Sequence, residues 1–223
     1  MRRRQLLGFL AIAASTPRVA FADAKTISID KAFPYLSAYL AMPAAERSRF
    51  YPAFRAYRDK HPVAGVAATI VAANGARTPI VFDRAGIMTT RLPDLAVLKS
   101  GAHIEIEGAP FDLGPELRCA IPPATHVDVR DLALALTQVN AAVVKFAGAL
   151  SFVIPKFTAA YFPDAGAGQA LMADGHSASL PAFTWPALGA VSYIEPATLI
   201  GARTVVLTRA PSRILLGGHP KKA

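Results

Sequence analysis

Residues 129–153 read VRDLALALTQVNAAVVKFAGALSFV, a run of helical periodicity that separates two strand-rich blocks. Leu132, Leu136, Val139, Val143, Phe146 and Leu150 recur on one face, and Asp131, Gln138 and Lys145 fall together on the other. Asp128 stands where an N-cap belongs, and Asp131 follows three residues later, both acids being favoured at the positive end of a helix. The polar stripe, Asn140 and the closing Pro155 argue against a membrane span despite the apolar length. The spacing predicts a core helix packed against a sheet. The sharper alternative makes the same helix one wall of a lipid groove, or an oligomer contact.

Upstream, Pro34 to Met42 reads as a short helix with Tyr35 and Tyr39 one turn apart. Pro43 ends it and suits the first turn of a second short helix through Arg47. From Phe50 the pattern turns to strands, with Asn74-Gly75 as a hairpin signal and further runs at 78–82, 87–91, 102–107 and 117–121. Pro122-Pro123 closes that block. From Lys156 strand patterns return, at 157–162, 169–172, 177–180, 191–194, 204–208 and 214–216. The expected fold is mainly β with a long central helix (α+β), in which β-sandwich-like units flank helix 129–153. The expected divisions are a leader (1–22), short N-terminal helices (23–49), a first β unit (50–121), the helical segment (122–155), a second β unit (156–216) and a basic tail (217–223).

Within the first block, Pro62-Val63-Ala64-Gly65-Val66 precedes an alternating run from Ala67 to Val71. Asp83-Arg84-Ala85-Gly86-Ile87 then leads to Leu92-Pro93. Residues 59–93 resemble the opening of a transthyretin-like or carboxypeptidase-regulatory-like β-sandwich module. The glycine supplies the positive φ where the chain reverses, and the acid caps the turn. The resemblance implies a β-sandwich that displays, spaces or binds. The chain departs from the pattern by inserting the long helix after about one module. The second block also echoes the first: Thr69-Ile70-Val71, Asn74-Gly75, Asp83 to Gly86 and Leu92-Pro93 align with 158–162, 166–168, Asp174-Gly175 and Leu180-Pro181. A repeat and convergent hairpin punctuation both account for the echo.

The N-terminus predicts the compartment. Arg2-Arg3-Arg4 form a positive region, Leu6 to Ala14 an apolar core too short to span a bilayer, and Ala20-Phe21-Ala22 a small-x-small cleavage site. The expectation is export to the periplasm with cleavage after Ala22. Arg3-Arg4-Gln5-Leu6-Leu7 resembles a twin-arginine signal, though an ordinary leader with three arginines also fits. Removing residues 1–22 takes four arginines and no acids, so the formal charge falls from +9 to +5. That balance favours an anionic surface without being a nucleic-acid signature. A hydrophobic fraction of 53% excludes disorder. With one cysteine, Cys119, no intrachain disulfide forms. Alternation places Leu117, Cys119 and Ile121 on one face, the setting of a buried structural thiol.

Candidate sites are few. His103, Glu105 and Glu107 alternate with Ile104 and Ile106, so a strand would project a histidine and two carboxylates from one face, a set able to ligate a divalent cation. An amphipathic strand with its isoleucines inward has the same pattern. Asp174-Gly175-His176 reads as a tight turn. Arg47, Arg49, Arg55, Arg58 and Lys60 interleave with Phe50, Tyr51, Phe54 and Tyr57, a patch that could grip an anionic ligand. Otherwise it is an element with aromatics inward and arginines solvated. Trp185, the only tryptophan, sits in an expected loop that could form a binding edge. There is no G-x-S-x-G elbow, no H-E-x-x-H helix and no phosphate-binding glycine loop, and no cofactor motif is read. The leading expectation is a periplasmic, non-catalytic accessory or binding protein whose partner is an envelope component or an anionic or apolar ligand. The alternatives are a metal-dependent hydrolase on His103, Glu105 and Glu107, and a lipid or hydrophobic-ligand carrier walled by the long helix.

Overall fold

The computed structural model describes residues 25–59, 61–147, 156–185 and 188–220. The expected leader and cleavage point, Lys60, the part of the expected helix after Ala147 and Lys221-Lys222 lie outside the described residues. The first half runs β1 (Lys25–Ser28), α1 (Ile29–Ala32), α2 (Leu36–Ala41), a 3-10 turn (Ala44–Arg47), β2 (Phe50–Arg58), β3 (His61–Pro62), β4 (Ala67–Val71), β5 (Arg77–Ile80), α3 (Leu95–Lys99), β6 (His103–Glu107) and β7 (Asp112–Cys119). The second runs β8 (His126–Asp128), α4 (Val129–Ala147), β9 (Ala159–Phe162), β10 (Gly168–Met172), β11 (Ser177–Ser179), β12 (Ala182–Trp185), β13 (Gly189–Ile194), β14 (Ala202–Leu207) and β15 (Leu215–Gly217). The chain is mainly β, with antiparallel sheets, one of them strongly curled, and one long helix.

Two four-stranded sheets, ordered β5-β4-β6-β1 and β11-β10-β14-β8, share one construction. In each, a hairpin lays its first strand against a later strand, whose free edge takes the strand that opens that half. Thr26 thus stands opposite Glu105, and His126 opposite Val206. Each opening strand runs straight into a helix. The hairpin loops also match. Ala72 N–H donates to Ala76 O and Gly75 N–H to Ala72 O, while Met172 N–H donates to His176 O and Gly175 N–H to Met172 O. Asn74 and Asp174 each accept from the backbone N–H two residues on, and Gly75 and Gly175 take φ of 82° and 88°. These are three-residue loops closed by a left-handed glycine. Geometrically, then, Asn74-Gly75 corresponds to Asp174-Gly175, not to residues 166–168 as the sequence echo aligned it.

The third sheet, ordered β12-β13-β9-β15-β7-β2-β3, draws strands from both β blocks, and β7 and β15 join the halves. The expected strand at 87–91 forms only isolated bridges, Arg55 to Ile87 and Phe82 to Met88. There Thr89 N–H donates to Val81 O, and the Thr90 hydroxyl adds to the pairing, accepting from Val81 N–H and donating to Pro79 O. The acid-capped turn beside it is formed: Asp83 Oδ1 accepts from the N–H groups of Ala85 and Ile87, and Gly86 sits at φ 73°.

One hydrophobic core takes side chains from both halves, among them Phe33, Leu36, Phe54, Ile104, Leu132, Leu136, Val139, Val205 and Ile214. The α4 helix starts as its sequence requires, with Asp128 Oδ1 accepting from Arg130 N–H at 2.7 Å. Its polar stripe grips the segment leading into β2. Asp131 pairs with Arg49 at 2.6 Å, Gln138 accepts from Arg49 N–H and donates to Ala45 O, and Lys145 pairs with Glu46. Asn140 holds the returning chain, donating to Phe157 O and accepting from Phe157 N–H. No helix among the described residues is long and apolar enough to cross a membrane.

Candidate functional site

β7 and β15 stay in register for a single pair, Arg118 opposite Leu215. One residue away, Cys119 N–H donates to Ile214 O. In the other direction the strands part. Leu216 and Gly217 continue along β9, while Leu117, Glu116 and Pro115 continue along β2. Every second backbone group of an antiparallel strand faces the same neighbour, so the positions aimed at β15 are Cys119, Leu117 and Pro115; the pairing ends before Leu117, and Pro115 beyond it has no N–H with which to resume it.

A cavity of about 810 Å³ occupies this parting. Glu116 and Leu117 both line it, as do Leu215 and Leu216. Successive strand residues face opposite sides, so the cavity reaches both faces of the sheet. One wall is the C-terminal half of α4, through Val139, Ala142, Val143 and Phe146. Tyr39, Phe50, Pro52, Phe157, Leu188 and Trp185 add apolar surface, and Arg55, Tyr57 and His61 are its other polar contributors. Tyr35, 67% exposed, stands at the mouth with φ at 65°, a left-handed conformation costly for a bulky residue.

Where Arg55 and Glu116 enter the cavity wall, three guanidinium groups converge on one carboxylate. Arg55 Nε lies 2.9 Å from Glu116 Oε1, and Arg118 Nη2 and Arg213 Nε lie 3.1 and 3.5 Å from Glu116 Oε2. Arg55 and Arg213 are buried, and the side chains of Glu116 and Arg118 are nearly so. Among the described residues, Nη2 of Arg55, Nε of Arg118 and Nη2 of Arg213 are buried without a hydrogen-bond partner; the Nε atoms of Arg55 and Arg213 contact Glu116 without hydrogen-bond alignment. Burial pulls the Arg213 guanidinium down, and Glu116 opposes this. Burial pushes the Tyr57 hydroxyl up, with Glu116 adding to the effect.

Of the arginines in the expected patch, Arg47, Arg49 and Arg58 each engage other parts of the chain. Arg47 donates to Met42 O and lies 5.1 Å from the centre of the Tyr39 ring. Arg49 is held by Asp131, and Arg58 donates to the carbonyls of Ala109 and Pro110. Arg55 and Trp185 reach the cavity. Trp185 ends strand β12, 38% exposed, with its ring edge-on to Tyr161 and Phe183. On β2 the expected sidedness is broken: Arg55 is 3% exposed while Tyr51 is 41% exposed. His103, Glu105 and Glu107 lie on β6 with Ile104 and Ile106 buried behind them. Arg77 takes Glu105 at 2.6 Å and holds its carboxyl below the usual range, and His103 is 3.6 Å from the same carboxylate. Among the described residues no group of three or more His, Cys, Asp and Glu is placed to hold a metal ion. Asp174 and His176 sit together on an exposed hairpin loop. Cys119 is a buried free thiol that burial pushes up, away from the thiolate form.

Sequence reading missed Glu116, Arg118 and Arg213. The alternation Glu116-Leu117-Arg118-Cys119 already places the two charges on the face opposite the core residues. What it does not show is that the second face is buried as well. Comparison with known proteins gave no match: no family model, no curated protein and no solved structure is significantly similar to the chain.

Proposed function

We propose that this is an exported periplasmic binding protein that holds a small molecule with an apolar body in the cavity between its halves and does not transform it. Of the readings open in the sequence, the hydrophobic-ligand carrier is the one the cavity favours. Its volume of about 810 Å³ falls within the roughly 300–1,000 Å³ of ordinary small-molecule sites. Its walls are mostly aliphatic and aromatic, with a few polar groups among them, the usual composition of such sites. Tyr35 supports the reading too, because a strained, exposed aromatic at a cavity mouth is the kind of outlier that clusters at ligand clamps. Residues 1–22 act as the leader in this proposal, and protein recovered from the periplasm begins at Asp23. The two β blocks are taken as sandwich-like units that supply opposite walls.

Calorimetric titration with the neutral probe N-phenyl-1-naphthylamine tests the binding. The expected result is one saturable site per chain, lost in Val143→Phe, which fills the cavity beside α4 while the variant keeps a cooperative unfolding transition. Lack of saturable binding to the wild-type protein overturns the proposal.

A further inference from the structure

We infer that the ligand carries an anionic head, a carboxylate or a group of similar chemistry, received by Arg55 in the cavity wall, with Arg118 and Arg213 adding positive charge behind it around Glu116; this rests on the cavity being a binding site. Three guanidinium groups share a single carboxylate, that of Glu116, so the cluster holds two more positive than negative charges. Asp164 acts on Arg213 as well, but only as a weaker influence than Glu116. Burying charge without a partner is costly, and native interiors normally pair it. Here Nη2 of Arg55 and Nη2 of Arg213 are buried and unpartnered, although a guanidinium is built to give parallel N–H groups to two oxygens. Arg55 and Glu116 are both part of the cavity wall, so an anion entering from the apolar side meets the cluster directly. Among the described lining residues Glu116 is the only acid. An aliphatic tail would lie along Val143, Phe146 and Leu216, with the head at Arg55. A cationic or purely neutral ligand would leave the buried donors unused.

The test compares three ten-carbon ligands, decanoate, decan-1-ol and decyltrimethylammonium, by displacement of N-phenyl-1-naphthylamine. Charge-assisted hydrogen bonds in a desolvated site predict that decanoate binds at least about tenfold tighter than the alcohol. The cation is expected to bind weakest. In Arg55→Gln and Arg213→Gln the ratio of decanoate to decanol affinity falls toward one, while Arg55→Lys, which keeps the charge, retains part of it. Equal binding of decanoate and decanol to the wild-type protein overturns this inference and leaves the cavity reading standing. Failure of all three ligands and the probe to bind overturns both.

Discussion

Glu116 is the residue on which the buried charges depend. Replacing one partner of a buried ion pair leaves an uncompensated charge, and Glu116→Gln leaves three. Urea unfolding should show a loss of about 3–5 kcal/mol for this variant. Arg213→Met removes a surplus charge and keeps the aliphatic stem, so its stability should equal or exceed that of the wild type. A large loss in Arg213→Met would mean that the cluster is balanced without a ligand. Tyr161 gives a second test. Its hydroxyl donates to Gly218 O, and burial, aided by Glu195 and Tyr193, pushes its pKa up to about 12. The folded state thus prefers the neutral phenol. The resulting stability is fully present below pH 10 and is lost as the pH climbs from 10 through 12. Stability measured from pH 9 to 12 should fall less steeply in Tyr161→Phe than in the wild type. Parallel curves would contradict the assignment.

Among the elements, α4 was legible in the sequence, and its packing shows why. Leu132, Leu136 and Val139 have the period of a single buried face, and Asp128 supplies the cap. What periodicity could not show was the partner of the polar stripe. Asp131, Gln138 and Lys145 read only as a polar stripe; that they bind the 44–49 segment was hidden, because hydrogen-bond partners about ninety residues away leave no trace in local spacing. Asn140 has the same kind of role. Asn140→Ala leaves the backbone of Phe157 without both its partners, so thermal or urea unfolding should show a cost of about 1–3 kcal/mol. Thr137→Ala, at a position whose hydroxyl bonds only within the helix, should cost less. Similar losses for the two would mean that Asn140 does not anchor the returning chain. On β2 the sequence misleads for a physical reason. Alternation assumes one wet face, and this strand is buried on both sides where Arg55 meets Glu116.

Across the whole molecule, the repeated construction of the two halves explains where the cavity lies. Each half closes its own four-stranded sheet, and both contribute strands to the third. The contact between the halves within that sheet is the short β7–β15 pairing, which is limited to Arg118 opposite Leu215. The sequence revealed the first hairpin through Asn74-Gly75 and read Asp174-Gly175 as a tight turn, where the second hairpin reverses. It did not reveal that β7 and β15 part, because that depends on the pairing of β7 with a strand about a hundred residues away. Trp185 is the only tryptophan of the chain and lies in the cavity wall, so its emission reports on this place alone. The direct measurement is Trp185 fluorescence during titration with N-phenyl-1-naphthylamine. Binding between the halves predicts saturable quenching of Trp185 by energy transfer, with the same midpoint as the rise in probe emission. A rise in probe emission with Trp185 unchanged would place the probe elsewhere and contradict the account.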